Sequence, residues 1–302
     1  MKENQKTAKV WVGIQGEVLR PEEINVLTSC DRISGIIFFK RNVKNKQQLK
    51  ILVQSIKTIR SDLLIGIDQE GGPVQRLRPP EFENLSSSRE IGALFDASPE
   101  RGLKAAKNRG ELIGRELKNL GIDLNFSPVV DLANRTSLVL KDRTYHENFD
   151  VVSALAEAEI EGMCSENIIP VLKHFPGHGG IVADTHIESH AEDFRNYEEI
   201  KNKDLKPFEY LIKKNKVEYI MASWVTYPKI DPHPVGYSEY WIEKILRKIL
   251  EFKGKIFSDD LGMKAAGENE KLEYKLNRLA LAGCDIGLNC NDFSWVADPK
   301  VI

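Results

Sequence analysis

The chain has 302 residues, and its 43 lysines and arginines against 45 aspartates and glutamates give a formal net charge of -2. This balance provides no basic field for a nucleic acid or an anionic membrane, so a small or neutral substrate is expected. A composition of 41% hydrophobic and 29% charged residues is that of an ordinary globular protein and excludes a disordered or fibrous chain.

The N-terminal residues from Met1 to Lys6 contain no secretory signal, and no apolar run approaches the roughly 20 residues of a membrane span. We therefore expect a cytoplasmic protein. The cysteines are scattered and form no C-x-x-C pair, which argues against a disulfide framework or a zinc site. We predict that they are small buried hydrophobic residues: Cys30, Cys164, Cys284 and Cys290.

Short apolar segments, each bounded by polar residues or glycine, recur along the chain and predict β-strands. Their apolarity is continuous rather than alternating, as in parallel strands that are covered on both faces. The predicted strands are residues 10–14, 35–39, 63–67, 122–126, 169–172, 218–222, 255–257 and 284–288.

Segments long enough for a helix separate most of these strands, at residues 45–59, 100–120, 151–167, 205–215, 239–252 and 271–282. Eight βα units fit a (β/α)8 TIM barrel better than a doubly wound sheet, because no glycine fingerprint follows the first strand. We predict one barrel domain over residues 1–302, with an open α/β sheet as the alternative. After the last strand, about fourteen residues remain for a short closing element.

Polar residues, and in one place a proline, follow most of the predicted strands directly. In a barrel these positions form the rim at the carboxyl ends of the strands, where chemistry takes place, so their crowding predicts a functional layer. They are Lys40, Arg41, Asn42, Asp68, Pro128, Asp131, Lys173, His174, Ser223, Asp259 and Asn289.

The segment IGIDQEGGPVQRL, residues 65–77, places Asp68 after the third strand and Arg76 close behind it. A carboxylate at such a position can accept hydrogen bonds from two neighbouring hydroxyl groups. Arg76, and Arg143 in the segment KDRTYHE, can hold sugar oxygens or a carboxylate through their forked donors. The alternative for each arginine is a solvated salt bridge.

The segment VLKHFPGHGGIVADTHIESH, residues 171–190, contains four of the six histidines. A metal site could use His174 with His178 or His186 with His190, since pairs four residues apart on a helix can chelate. Proline and glycine interrupt any helix through the first pair, however. The glycines favour instead a long loop that carries a catalytic group over the barrel mouth.

Asp184 and His186 lie two residues apart in this segment. In an extended chain their side chains point the same way and can hydrogen-bond. The carboxylate would fix the imidazole tautomer, and an imidazole with an ordinary pKa of about 6.5 can donate and accept a proton near neutral pH. The alternative is a hydrogen bond that only orders the loop.

The segment IFSDDLGM, residues 256–263, contains two adjacent acids after a buried strand. Asp259, at the strand end, is expected to project into the barrel mouth as a nucleophile or to serve as a helix N-cap. Asp260 is expected to face the other way and to cap the following helix.

Together, the segments GIIFFKRNV, IGIDQEGGPVQRL, GIDLNFSPVVDL, VLKHFPGHGG with ADTH, and KIFSDDLGM resemble glycoside hydrolase family 3, specifically its single-domain bacterial β-N-acetylglucosaminidases. The resemblance covers about residues 10–291, and its most specific part is KHFPGH followed by the D-x-H pair. It implies a nucleophile at Asp259 and a general acid/base at His186 that Asp184 orients. It also implies sugar-binding roles for Asp68, Arg76, Arg143, Lys173 and His174.

The resemblance implies a retaining hydrolysis through a glycosyl-enzyme on Asp259, with His186 as acid and then base. The implied substrate is the β-1,4-linked N-acetylglucosamine at the non-reducing end of cytosolic muropeptides, N-acetylglucosaminyl-1,6-anhydro-N-acetylmuramic acid with or without peptide, in peptidoglycan recycling. No cofactor or metal is implied. We expect a monomer that binds this small carbohydrate and has no nucleic-acid or membrane partner.

Two features depart from the family pattern. The segment IMASWVTYP carries Trp224 where the family usually has histidine, and this indole could stack on a sugar or simply pack. The chain also ends earlier than many relatives, so a shortened or missing last helix is expected. The alternative functions are a family 3 β-glucosidase, a glycoside phosphorylase and a non-catalytic muropeptide-binding barrel.

Overall fold

Eight parallel strands form the centre of the molecule in a computed structural model that describes residues 7–133, 140–178, 180 and 191–301. These strands are β1 (Lys9–Gly13), β2 (Ile33–Phe38), β3 (Leu64–Ile67), β6 (Leu124–Asn125), β7 (Ile169–Phe175), β8 (Tyr219–Ala222), β11 (Lys255–Asp260) and β12 (Ile286–Asn289). Each strand pairs with the next in this order, and β12 pairs with β1, which closes the barrel. The predicted TIM barrel is confirmed, and the open-sheet alternative is wrong.

Two short antiparallel hairpins extend the rim at the carboxyl ends of the strands. The first joins β4 (Gln69–Gly71) to β5 (Val74–Gln75) directly after β3. The second joins β9 (Thr226–Tyr227) to β10 (Asp231–Pro234) after β8. The first hairpin matters for the site, because it brings the residues after Asp68 back across the rim.

Helices cover the outside of the barrel. They are α1 (Pro21–Ser29), α2 (Lys46–Ile59), α3 (Ser88–Ala97), α4 (Pro99–Leu120), α5 (Phe149–Ser165), α6 (Tyr197–Lys201), α7 (Leu205–Lys213), a π-helix (Tyr240–Ile249), α8 (Leu272–Ala282) and α9 (Ser294–Ala297). All six predicted helical segments are present. Helices α1, α3 and α6 were not predicted, and of these α6, with five residues, is too short to show a clear apolar period.

Side chains at the helix ends explain where several helices begin. Asn45 accepts a hydrogen bond from the backbone of Gln48 and so caps α2, and Ser87 and Glu90 form a capping box at the start of α3. Gly121 ends α4 in the left-handed conformation with φ of 81°, which glycine adopts at low cost.

An aromatic cluster fills the inside of the barrel. The rings of Trp11, Phe126 and Phe257 are buried and meet edge to face, with centroids 5.0 to 5.8 Å apart. This geometry suits the opposite charges of ring faces and edges, and it makes the barrel a packed core rather than a pore. Chemistry is thereby restricted to the rim.

The cysteines only partly match the prediction. Cys284 and Cys290 are buried, Cys30 is half-buried, and Cys164 is exposed. Cys164 is exposed because it lies in the last turn of α5 on the face that points away from the barrel, so its prediction as a buried residue was wrong. All four thiols are free. Among the helices of the described residues, none combines the length and the apolarity needed to cross a bilayer.

Candidate active site

A cavity of about 220 Å³ opens at the carboxyl ends of the barrel strands. Its floor is the upper part of the barrel core, including Ile37, Met221 and Leu288. Its walls include every predicted site residue that the structure describes, namely Asp68, Arg76, Arg143, Lys173, His174 and Asp259. The remaining two, Asp184 and His186, lie outside the described residues.

Lys173 lies between two carboxylates. Its Nζ is 2.9 Å from Asp68 Oδ1 and 2.6 Å from Glu70 Oε1. Asp68 and Glu70 are two residues apart in a nearly extended segment, so their side chains point to the same side. The lysine is thereby fixed at the cavity wall with its side chain only 3% exposed.

Two arginines complete this charged wall. Arg143 donates to Glu70 through Nε at 2.8 Å and Nη2 at 2.9 Å, a bidentate pair that is almost fully buried. Arg76 donates through Nη2 to Asp68 Oδ2 at 3.2 Å and is more exposed. Arg143 is therefore no solvated salt bridge, whereas Arg76 forms a partly exposed pair that still faces the cavity.

The charges in this wall hold each other in the ionised state. Burial alone would raise the pKa of Asp68, but Lys173 and Arg76 outweigh it and lower that pKa. Burial would also raise the pKa of Glu70, and Arg143 with Lys173 lowers it far below its usual value. Conversely, Asp68 and Glu70 outweigh burial and raise the pKa of Lys173. Neither carboxylate is suited to give up a proton near neutral pH.

His174 is held by a buried aspartate that sequence reasoning placed on the rim without a role. Its Nδ1 is 2.7 Å from Asp131 Oδ2, and the backbone N–H of His178 donates to Asp131 Oδ1 at 2.7 Å. The pairing of β7 with β8 shifts register between Leu172 and Phe175, so that successive residues Lys173 and His174 both face the cavity.

Asp259 differs from the other carboxylates of the cavity. Its Oδ1 accepts the backbone N–H of Asp260 at 2.8 Å, and among the described residues no lysine or arginine forms an ion pair with it. Asp259 lies in β11, and no helix begins at this point. The helix N-cap alternative for Asp259 is therefore wrong.

Asp260 behaves differently from its prediction in two respects. It caps a turn rather than a helix, since its Oδ1 accepts the backbone N–H groups of Gly262 at 3.0 Å and Cys290 at 3.1 Å. It also borders the same cavity as Asp259, because β11 continues through both residues and its pairing with β12 shifts register between Phe257 and Asp260. Burial raises the pKa of Asp260, which those hydrogen bonds partly oppose.

Gln69 and Asn125 fix the hairpin that follows Asp68. Asn125 Oδ1 accepts the backbone N–H of Gln69, and its Nδ2 donates to the Gln69 carbonyl. The Gln69 side chain points away from the cavity and accepts the backbone N–H groups of Arg76 and Leu77 at 2.9 and 3.0 Å. Residues 68–70 thus contribute to both faces of the hairpin, because Asp68 and Glu70 line the cavity and Gln69 binds the hairpin backbone on the other side.

Sequence reasoning missed Glu70 and gave no role to Asp131. The i, i+2 spacing of Asp68 and Glu70 was a usable signal for a shared cation, but the sequence did not show which cation would reach them. Lys173 is 105 residues from Asp68 along the chain, and only barrel closure brings them together.

Trp224 packs and does not reach the cavity. Its side chain is buried, its ring lies 4.6 Å from that of Tyr237, and Gly236 leaves room for it. Its Nε1 donates to the carbonyl of Asp260 at 3.0 Å. Of the two alternatives, packing is confirmed and sugar stacking is wrong.

The residues on either side of positions 181–190 lie at the same rim as the cavity. The carbonyl of Gly177 accepts a hydrogen bond of 2.6 Å from the hydroxyl of Tyr227. On the other side, the carbonyl of Ala191 accepts the backbone N–H of Thr226 at 2.9 Å. Both anchors therefore involve the β9 strand, next to the end of β8.

A larger groove of about 870 Å³ lies on the outside of the barrel between the π-helix and α8. It carries acids and bases together, and two of its tyrosines are already covered by cations, with Arg278 3.8 Å from the Tyr237 ring and Lys244 4.7 Å from the Tyr240 ring. The smaller cavity is the better candidate, because its charged groups converge and it lies where barrel chemistry occurs.

Within residues 7–133, 140–178, 180 and 191–301, no group of three or more histidine, cysteine, aspartate or glutamate side chains is arranged to hold a metal ion. His174 and His178 have ring centroids 5.7 Å apart, and the Nδ1 of His174 is directed at Asp131.

Comparison with known proteins gives a consistent result. The family model for the glycosyl hydrolase family 3 N-terminal domain matches residues 9–298. A β-hexosaminidase of Nitrosomonas eutropha is 43% identical over 274 residues, which cover 88% of this chain and 78% of the relative. A β-hexosaminidase of Pasteurella multocida is 39% identical over 282 residues, covering 93% and 79% of the two chains.

A solved structure shares the fold closely. The crystal structure of NagZ from Neisseria gonorrhoeae in complex with N-trifluoroacetyl-D-glucosamine matches with a TM-score of 0.91 and 36% sequence identity. The match covers 98% of this chain and 85% of that one.

Proposed function

The chain belongs to glycosyl hydrolase family 3 and is a β-N-acetylhexosaminidase, and we propose that it acts with retention of anomeric configuration through Asp259. The observation that carries the proposal is that the Asp259 carboxylate forms no ion pair with a lysine or arginine of the described residues, whereas the other carboxylates of the cavity are held by cations or by backbone N–H groups. We infer that Asp259 serves as the nucleophile and that the ion-paired residues of the cavity wall bind the sugar.

The partners of the cavity carboxylates favour Asp259 as the nucleophile. A carboxylate neutralised by a lysine or arginine is a weaker nucleophile, because the cation stabilises its charge. Asp68 and Glu70 are in that state, and Asp260 accepts two backbone N–H groups. Asp259 keeps an oxygen that can attack an anomeric carbon in the cavity.

The charged wall is suited to binding sugar hydroxyls. Lys173 and Arg76 offer N–H donors, and Asp68 retains acceptor capacity beside them, so a pair of neighbouring hydroxyls can both donate and accept. We infer that Asp68, Arg76, Arg143, Lys173 and His174 hold the terminal sugar. The cavity of about 220 Å³ is smaller than the roughly 300–1,000 Å³ of pockets for drug-sized ligands, which favours one sugar at a time.

We place the proton donor outside the charged wall formed by Asp68, Glu70, Lys173 and the two arginines. Asp68 and Glu70 have lowered pKa values, so they are poor acids at neutral pH. We assign the acid/base role to His186 and the orienting role to Asp184, in the segment between the two anchors at the β9 strand. A neutral imidazole would avoid the repulsion that a second carboxylate meets near Asp259.

The reaction then has two balanced steps. Asp259 forms a bond to the anomeric carbon while the bond to the glycosidic oxygen breaks and His186 gives its proton to that oxygen. Neutral His186 next takes a proton from water, whose oxygen attacks the same carbon and releases Asp259. Two inversions give net retention.

The proposed substrate is a muropeptide with a non-reducing-end β-1,4-linked N-acetylglucosamine, N-acetylglucosaminyl-1,6-anhydro-N-acetylmuramic acid with or without peptide. The β-hexosaminidase relatives and the N-acyl-glucosamine bound to the Neisseria gonorrhoeae neighbour support the terminal sugar. A cytoplasmic monomer in peptidoglycan recycling is the matching biological proposal.

The first test compares an aryl N-acetyl-β-glucosaminide with the matching aryl β-glucoside, using the wild type and Asp259→Ala. We expect acetamido-selective turnover that falls by about a thousandfold or more in the variant. Equal rates on both substrates would indicate a broader β-glucosidase. No turnover, with retained muropeptide binding, would indicate a non-catalytic barrel.

A second measurement tests stereochemistry and the acceptor. Proton NMR of the first product should show the β-anomer of N-acetylglucosamine before mutarotation, and the α-anomer would contradict retention. Added phosphate should leave the product unchanged, since a glycosyl phosphate would identify a phosphorylase instead.

A further inference from the structure

Glu70 is a buried carboxylate that connects two of the proposed sugar-binding cations. Its Oε1 lies 2.6 Å from Lys173 Nζ and accepts Arg143 Nη2 at 2.9 Å, while its Oε2 accepts Arg143 Nε at 2.8 Å. The three side chains come from the β4–β5 hairpin, the end of β7 and the segment after β6. Glu70 is thus the group that these three parts of the rim share.

We propose that Glu70 is a positioning residue, which holds Lys173 and Arg143 in the geometry that receives the terminal sugar. This inference rests on the proposed function for the identity of the ligand. It assigns Glu70 no contact with substrate, because both of its oxygens are taken by the two cations and its side chain is only 3% exposed.

Electrostatic repulsion explains why such a residue is needed. Lys173 is buried and Arg143 is 13% exposed, and each would raise the free energy of the other if no anion lay between them. Asp68 neutralises Lys173 from one side but does not reach Arg143 within the described contacts. Glu70 therefore supplies the charge that allows two cations to share one wall.

The position of Glu70 in the hairpin is itself fixed. The backbone of the preceding residue, Gln69, is held at both its N–H and its carbonyl by Asn125. Gly71 follows with a φ of 88°, and a Cβ at that position would lie 2.4 Å from the carbonyl oxygen of Ser86. The Glu70 carboxylate is thereby presented to the cavity wall by a rigid turn.

The chain offers a matched control in a second buried glutamate–arginine pair. Glu159 is fully buried and pairs with Arg109 and the hydroxyl of Tyr145, and none of these three residues borders the cavity. Changing Glu159 to glutamine should affect stability without changing substrate affinity. It thus separates loss of a buried pair from loss of cation positioning.

The experiment compares Glu70→Gln, Glu70→Asp and Glu159→Gln with the wild type. A glutamine removes the charge and turns an amide N–H₂ toward at least one cation, so KM for the aryl N-acetyl-β-glucosaminide and Kd for N-acetylglucosamine should rise about 10- to 100-fold. We expect kcat per folded enzyme to change less than KM. Glu70→Asp keeps the charge but shortens its reach, and it should give an intermediate KM.

Lysine acylation provides a readout that does not depend on the substrate. Lys173 should become more reactive toward acetic anhydride in Glu70→Gln, measured by mass spectrometry of the Lys173 peptide, and should stay protected in Glu159→Gln. Wild-type KM, Kd and Lys173 reactivity in a folded Glu70→Gln variant would overturn the proposal. If Glu70→Gln does not fold, KM, Kd and Lys173 reactivity are measured in Glu70→Asp instead. Wild-type values of all three in Glu70→Asp would then overturn the proposal.

The two proposals fail in different ways. A wild type that turns over no hexosaminide contradicts the proposed function, and the acylation result then still decides whether Glu70 positions Lys173. A wild type that is active, with a Glu70→Gln variant unchanged in KM and in acylation, contradicts only the role of Glu70.

Discussion

The indole N–H of Trp224 donates a hydrogen bond of 3.0 Å to the backbone carbonyl of Asp260, the residue directly after the proposed nucleophile Asp259. The indole is buried and lies against Tyr237. A side chain after β8 thus fixes the end of β11, and the tryptophan that departs from the family pattern holds the backbone beside Asp259 without lining the cavity.

Replacing Trp224 with phenylalanine removes this N–H donor and keeps an aromatic ring. We expect a three- to tenfold fall in kcat with little change in KM, since about 1 kcal/mol of hydrogen bonding that fixes the backbone beside Asp259 is lost. Steady-state kinetics and thermal unfolding measure the two effects.

Trp241→Phe is the matched control. Trp241 is equally buried, and its Nε1 has no hydrogen-bond partner within the described residues. Its substitution should lower stability through lost packing but leave kcat near the wild-type value. Equal losses of kcat in the two variants would contradict a specific role for the Trp224 hydrogen bond.

The barrel could be predicted from the sequence because its strands are covered on both faces. Continuous apolar runs such as residues 36–39, at the end of β2 (Ile33–Phe38), mark buried parallel strands, and each strand end then carries its polar residue to one rim. All six described site residues reached the same cavity for this reason.

The partners of those residues could not be predicted in the same way. A local pattern shows that Asp68 and Glu70 face one side, but it does not show that Lys173 and Arg143 reach them from distant parts of the chain. The same limit applies to Trp224, whose neighbour Asp260 is 36 residues away. These roles depend on tertiary contacts, which cannot be predicted from the spacing of residues in the sequence.

Asp131→Asn should weaken sugar binding. Asp131 faces His174 Nδ1 at 2.7 Å and so directs the other ring nitrogen toward the cavity, whereas an asparagine can present an N–H₂ group there and disturb the tautomer. We expect KM to rise about 10- to 100-fold, as when other partners that orient a histidine are removed. Kinetics and titration with N-acetylglucosamine provide the measurement.

Asp123→Asn serves as the control for that change. Asp123 lies at the opposite end of β6 and accepts Lys57 Nζ at 2.7 Å and the backbone N–H of Ile65 at 2.8 Å. Its loss should reduce stability and leave KM unaltered. An Asp131→Asn protein with the KM of the wild type would show that His174 does not need its partner.

His186→Glu should not restore catalysis. In the mechanism proposed above, a glutamate at this position would bring a second negative charge toward Asp259, and ionisation of both would be disfavoured. We expect kcat for an unactivated leaving group to stay at least about 100-fold below wild type, within the range that general acid–base catalysis contributes. His186→Ala is the reference, and near-wild-type turnover of the glutamate variant would rule out the repulsion argument.

The free energy of unfolding should decrease as the pH is lowered, because His178 is buried in the folded protein. Burial lowers its pKa to about 4, an effect that His174 and Arg143 reinforce and that Asp131 and Asp259 oppose. The unfolded chain has a histidine pKa of about 6.5, so between these values the unfolded state binds a proton that the folded state does not. Protonation therefore favours unfolding as the pH drops through this window.

The expected loss is about 2 to 3 kcal/mol in the free energy of unfolding between pH 7.5 and 4.5. Urea unfolding of the wild type and His178→Asn at both pH values measures it, and the variant should lack this part of the decline. Above pH 4.5 the acids with lowered pKa, Asp68 and Glu70, still contribute most of their stabilisation, because its loss begins near the unfolded-state pKa values of about 3.9 for aspartate and 4.3 for glutamate. Parallel pH curves for the two proteins would mean that His178 does not titrate as a buried neutral imidazole.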